Sequence, residues 1–127
     1  MIMSSFVKTA ILRPLAETTS AGTEVGDWHD CDGFNQLIVA LNVTAFPSRV
    51  DETLVVTVER WSPTTTGYTT LVTFTTINTT GEHTEEKIFV DGTTNVLGGR
   101  MRARCVTAGT WASKSITFEV KAYLKKA

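Results

Sequence analysis

The sequence predicts an all-β chain: a single antiparallel β-sandwich of about seven or eight strands, jelly-roll or immunoglobulin-like in its connectivity. Three observations carry this expectation. Apolar and polar residues alternate with period 2 in one segment after another, and turn signals separate the segments at short intervals. Threonine is abundant, recurring through "SPTTTGYTTLVTFTTINTTGEHT" at about every second position. Its β-branched side chain favours pleated backbone, and its hydroxyl suits the solvated face of a half-buried strand. Leu71, Val72, Phe74 and Ile77 are spaced through the same tract as core residues, which argues against an O-glycosylated stalk.

Taken in order, Phe6 to Leu12 is a first strand, closed by Pro14. "LAETTSAGTEVGD" is a polar, glycine-punctuated connection with room for a short edge strand. Leu37, Val39, Leu41 and Val43 alternate with Ile38, Ala40, Asn42 and Thr44, so one face is wholly apolar and the other mixed, as in a central strand. Leu54, Val56 and Val58 alternate with Val55, Thr57 and Glu59 in the next. "SPTTTGY" follows as a loop joining antiparallel neighbours, and Tyr68 to Ile77 returns. "EEKIFV" is a shorter strand stopping at the turn dipeptide Asp91-Gly92. Met101, Ala103 and Cys105 alternate with Arg100, Arg102 and Arg104, which puts three guanidinium groups on one strand face. Ile116, Phe118, Val120, Ala122 and Leu124 alternate with polar residues in the last and most amphipathic strand.

The 127 residues fit one domain, 1–127, that buries a core without disulfides or metals, with residues 1–5 as a flexible or partner-docking arm. Twelve Lys plus Arg stand against 13 Asp plus Glu, for a net charge of −1. That balance gives no global attraction to nucleic acid or anionic membrane, so neither is an expected partner. The start "MIMSSFVKTAILRPLAE" is too interrupted for a signal peptide, and no apolar run reaches the roughly 18 to 20 residues of a spanning helix. The expectation is synthesis in a cytoplasm-like compartment, which favours free buried thiols at Cys31 and Cys105 over the alternative, a disulfide between them.

The stretch "GDWHDCDGFNQLIVALNVTAF" gathers Asp27, His29, Asp30, Cys31 and Asp32 ahead of an apolar strand. If extended, it puts His29 and Cys31 on one face and Trp28, Asp30 and Asp32 on the other. A His-x-Cys pair supplies two zinc ligands where a closed site needs four, and His83 and Cys105 are the only others of their kind. The EF-hand order of ligands is missing, and a Cys-His nucleophile pair here has no orienting third group. The sequence therefore predicts no metal and no cofactor. The cluster reads as a polar approach to a buried strand, with Trp28 packing under a loop or facing a partner. No serine–histidine–acid order, phosphate loop or glycosidase-like carboxylate pair stands out, so no enzyme is expected.

The same stretch, followed by "ETLVVTVERWSPTTTGYTTLVTFTTI", "GGRMRARCVTAG" and "SITFEVKA", resembles small β-sandwich structural proteins of tailed-bacteriophage virions. The hairpin match lies in Leu54 to Phe74, with Ser62-Pro63 and Gly67 at the turn, the arginine strand in Arg100 to Val106, and the closing strand in Ile116 to Ala122. The match covers roughly residues 26–122, and "CVTAGTWASKS" departs from the pattern by adding Trp111. The resemblance implies a decoration or cement protein, made in the host cytoplasm and bound to the outer surface of the major capsid protein lattice. It also implies a homo-oligomer, with trimers at lattice three-fold positions the favoured form and a neck or tail location the alternative.

Two functional classes follow. A lattice-binding protein would use the apolar N-terminal Ile2, Met3 and Phe6, with Arg100, Arg102 and Arg104 against an acidic capsid surface or paired within the sheet. A carbohydrate-binding module would instead cluster Trp61, Tyr68 and Trp111 on one loop end, with Trp28 a further candidate, because aromatic planes bury the apolar faces of sugars.

Overall fold

The alternating segments become strands wherever one face finds a core. A computed structural model describes residues 8–31, 33–47, 51–62, 66–90, 99–111 and 114–125. Its strands are β1 (Lys8–Thr18), β2 (Gly22–Val25), β3 (His29–Asp30), β4 (Gln36–Phe46), β5 (Thr53–Ser62), β6 (Gly67–Thr73), β7 (Gly81–Val90), β8 (Arg100–Ala108) and β9 (Ile116–Lys125). One sheet has the order β1-β9-β4-β7 and the other β2-β8-β5-β6, with β3 added beside β8. Apart from β3, the strands pair from the middle of the chain outward: β5 with β6, β4 with β7, β2 with β8, β1 with β9, all antiparallel. This is a long hairpin folded over on itself, the connectivity of a jelly roll. An immunoglobulin-like sandwich would split the strands differently, so the pairing decides between the two predicted topologies.

The core lies between the two inner faces. Leu37, Val39, Leu41 and Val43 of β4 and Ile116, Phe118, Val120, Ala122 and Leu124 of β9 meet Leu54, Val56 and Val58 of β5 and Met101, Ala103 and Cys105 of β8, all buried. Trp111 joins them at 4 % exposure, which removes it from any surface platform. Its indole Nε1–H donates to the Ala108 carbonyl at 2.9 Å, and its ring meets Phe46 edge-on at 5.8 Å. A tryptophan whose N–H finds a carbonyl is free to bury the rest of its surface, and Trp111 does so at the end of the sandwich.

Three strand boundaries differ from expectation. Pro14 does not close β1, because β1 is an edge strand and the proline sits in an irregular stretch where the register shifts between Ile11 and Arg13 and again between Arg13 and Ala16. β6 stops at Thr73, and Ile77 returns only as an isolated bridge to Leu54. β7 begins at Gly81, four residues ahead of the "EEKIFV" segment. It carries His83, Glu85 and Lys87 opposite Val43, Leu41 and Val39 on the inner face, half-buried. Inward-pointing charges on an edge strand discourage pairing with a further strand. The predicted turn at Asp91-Gly92, Pro63 and the docking residues Ile2, Met3 and Phe6 lie outside the described residues.

Cys31 and Cys105 are both buried and free. Burial pushes the Cys105 thiol up to about 12, against a smaller lowering by the Arg13 guanidinium, and Glu24 adds to the rise. The folded state therefore keeps this proton where the unfolded chain has lost it. Stability is unaffected below the ordinary thiol value of 9.0 and falls as pH rises from there toward about 12. At pH 8 neither cysteine is expected to react with Ellman's reagent until the chain unfolds, because both thiols are buried and that of Cys105 is also held protonated. Rapid labelling of Cys105 in the native protein would show that the sandwich opens around β8.

Candidate interaction surface

The outer face of the second sheet gathers most of the residues the sequence singled out. Alternation along β8 turns Arg100, Arg102 and Arg104 outward, and the register sets them opposite Trp61, Glu59 and Thr57 of β5. Trp61 faces Tyr68 of β6 in turn. Trp28 arrives from the connection between β2 and β3. That connection crosses close to β1: the Gly26 N–H donates to Ala103 O at 3.0 Å, and a Cβ on Gly26 would fall 2.2 Å from Leu12 O. Only glycine fits this approach. Trp28 is thereby set over the outer face rather than in the core.

The contacts among these side chains are specific. Arg102 Nε donates to Glu59 Oε1 at 2.6 Å, and its guanidinium lies 4.3 Å from the Trp28 ring centroid and 5.1 Å from that of Tyr68. Trp28 and Tyr68 are stacked, with centroids 5.8 Å apart and planes within 7°, and Trp61 meets Tyr68 at 5.2 Å with a tilt of 57°. Although the Arg102–Glu59 pair faces away from the core, its side chains are only 20 % and 13 % exposed. The aromatic rings cover it, and a charge-assisted hydrogen bond in such a setting anchors the rings above it. Arg100 sits at the margin, 5.5 Å from the Trp28 ring, and Arg104 is exposed. Among the described residues neither forms an ion pair.

Of the aromatic residues expected to act together, the structure joins Trp28, Trp61 and Tyr68 and leaves out Trp111. Of the three arginines, Arg102 is used internally. Glu59 was missed as a site residue; its place two positions before Trp61 in an alternating strand puts it on the same face, but only the β5–β8 register shows that Arg102 lies opposite.

In the cluster between Asp27 and Asp30, His29 and Asp30 form β3 against Met101 and Arg100, while Cys31 is fully buried and hydrogen-bonded through its backbone to Gly99. No group of three potential metal ligands occurs among the described residues.

Besides a concavity of about 350 Å³ along residues 17–24 and Thr107, two more lie elsewhere among the described residues. One, of about 330 Å³, is lined by residues 75–79 with His83 and Glu85. Its two ionisable side chains are already engaged: Glu85 accepts from the N–H and hydroxyl of Thr75, and His83 bonds to Thr79. The other, a groove of about 570 Å³ between the edges of β1 and β2, is lined by Ile11, Pro14, Val25 and the Arg13–Glu24 pair.

The chain matches no protein-family model and no curated protein. Solved structures do match. A chain of the VP2 subviral particle of infectious bursal disease virus aligns over 94 % of this chain and 32 % of its own length, with a TM-score of 0.56 and 12 % identity. A chain of the T13 particle of the same virus aligns over 94 % and 30 %, with a TM-score of 0.61 and 14 % identity. A chain from the Gx strain gives 94 %, 32 %, 0.61 and 11 %. This chain thus spans about a third of the length of each. At such identity the shared property is the fold: this β-sandwich is like one found in viral capsid particles.

Proposed function

We propose that this protein is a structural component of a virion, a decoration or cement protein that binds the outer surface of the major capsid protein lattice and stabilises it. The observation that supports this most is the β-sandwich fold, which aligns over 94 % of the chain with proteins of a viral particle. The sequence resemblance to tailed-phage structural proteins points the same way and is the support for a phage origin.

We assign the lattice contact to the outer face of the first sheet. There Ile88 of β7 is 72 % exposed, with Ile38 of β4 directly opposite it and Tyr123 of β9 opposite Ile38 on the other side. On β1 the residue opposite Tyr123 is Thr9, and Ile11, 41 % exposed, lies two positions along, opposite Lys121. An exposed isoleucine backed by half-buried apolar neighbours in register across three strands offers a contact surface on a solvent face. The arginine face is the weaker candidate, since Arg102 is neutralised by Glu59 and only Arg100 and Arg104 remain for an acidic partner. Trimers at three-fold positions would multiply modest contacts per copy into firm attachment.

The test is co-sedimentation of the purified chain with empty capsids of the parent particle. Saturation at a copy number that follows the lattice is expected, with Ile88→Asp weakening binding by about tenfold and Arg104→Glu leaving it nearly unchanged. Saturation at only a few copies would move the protein to the neck or tail. Absence of binding would overturn the reading.

A further inference from the structure

We propose that the outer face of the second sheet carries a saccharide-binding site, built from Trp28, Trp61 and Tyr68 with Arg100 at its margin, that takes a pyranose-containing glycan. Three large aromatic side chains from three separate segments converge on a solvent-facing sheet surface, where the core has no use for them. They are also fixed in place. Gly26 sets the path of the segment that bears Trp28, and Arg102, itself held by Glu59, lies against both Trp28 and Tyr68. Rings ordered before a ligand arrives spare binding the cost of ordering them.

The geometry selects among ligand classes. Successive ring centroids lie 5.8 and 5.2 Å apart, so the three rings form one continuous apolar strip. Trp28 and Tyr68 are nearly parallel but too close for a further ring to enter between them, so a ligand must lie across the strip. Tyr68, 59 % exposed, offers the most open surface. A pyranose presents an apolar C–H face ringed by hydroxyls. That face stacks on the strip while the hydroxyls meet the Tyr68 phenol and the Arg100 guanidinium, whose N–H groups all donate.

A nucleic-acid strand would also use aromatic stacking, but it needs a row of cations along its phosphates. Here Arg102 is neutralised by Glu59, and Arg100 and Arg104 are the arginines left on this face. Asp27 and Asp30 lie in the same short segment as Trp28, and the whole chain carries a net charge of −1. The observations favour the saccharide.

The site lies on the sheet opposite the proposed lattice contact, so each reading can fail alone. The experiment is a titration of the full chain, followed by tryptophan fluorescence, with chitotetraose, cellotetraose and a galacturonate tetrasaccharide, backed by a glycan array for breadth. Saturable change with at least one saccharide is expected. Trp28→Ala and Tyr68→Ala should weaken it by about tenfold or more, Tyr68→Phe by less, and Arg104→Gln hardly at all. Tyr68→Ala should still unfold at nearly the same temperature as the parent and still sediment with capsids. A chain that binds no saccharide in either format overturns the proposal. So does one that binds oligothymidylate more tightly and loses that binding in the same variants, or one whose Tyr68→Ala variant folds but no longer binds capsids.

Discussion

Arg13→Met is expected to destabilise the protein by about 3 to 5 kcal/mol, read as a lower urea midpoint at unchanged slope. Arg13 is 4 % exposed in a strand where the pattern calls for a surface residue. Its Nη1 donates to the carbonyls of Pro14, at 3.2 Å, Ala16, at 3.1 Å, and Phe118, and its Nη2 donates to Thr18 Oγ1 at 2.8 Å. The guanidinium lies 3.6 Å from the Phe118 ring centroid. The carbonyls of Pro14 and Ala16 belong to the stretch where β1 loses register with β9, so the guanidinium supplies donors that the disturbed ladder does not.

Methionine fills the volume but leaves several acceptors unsatisfied, at about 1 to 3 kcal/mol each before relaxation. The ion pair contributes less. Glu24 lies 3.3 Å from Arg13 Nε but is 49 % exposed, so water and salt screen the attraction. The loss should therefore persist at high salt, and Arg13→Lys should recover only part of it, since an ammonium cannot reach the same acceptors as a planar fork. A loss below about 1 kcal/mol would show that the irregular stretch satisfies itself without the arginine.

Lys114→Met is expected to cost about 3 kcal/mol or more, by removing the ammonium that neutralises a buried carboxylate. Glu52 is fully buried just ahead of β5, and Lys114 Nζ forms an ion pair with its Oε1. Its Oε2 accepts from the Asp51 N–H at 3.1 Å. The same corner is closed by Asp51, which accepts from the N–H of Thr110 at 3.0 Å and from its hydroxyl at 3.4 Å. Gly109, at φ 101°, turns the chain where a Cβ would fall 2.6 Å from Asp51 O. Pairing Lys114→Met with Glu52→Gln should restore much of the loss, because the charge goes with its partner. A double variant as unstable as the single one would mean that Lys114 acts through packing alone. This corner is at the opposite end of β5 from Trp61, so Lys114→Met is expected to leave saccharide binding unchanged at temperatures where it remains folded.

The faces of the strands were legible in the sequence, and the positions in the loops were not. Leu37 to Val43, Leu54 to Val58, Met101 to Cys105 and Ile116 to Leu124 lie inward as their alternation predicts, because a strand's side chains change sides at every residue whatever the sheet around it. The same rule placed Arg100, Arg102 and Arg104 outward. It failed for Arg13, which occupies a bulged stretch where strict alternation stops. It was silent on the tryptophans outside strands: Trp28 and Trp111 look alike in the sequence, yet one lies over a sheet and the other is buried against Phe46.

By itself, then, the sequence determined that this chain is a sandwich of amphipathic strands, and which side of each strand meets the core. Those properties depend on residues two apart, and the backbone enforces them locally. Tertiary structure alone decided that the roll is a jelly roll, that Glu59 meets Arg102, and that Trp28 rather than Trp111 completes the aromatic strip. Each of these joins residues separated by tens of positions, and the register that brings them together follows from the packing of both sheets at once.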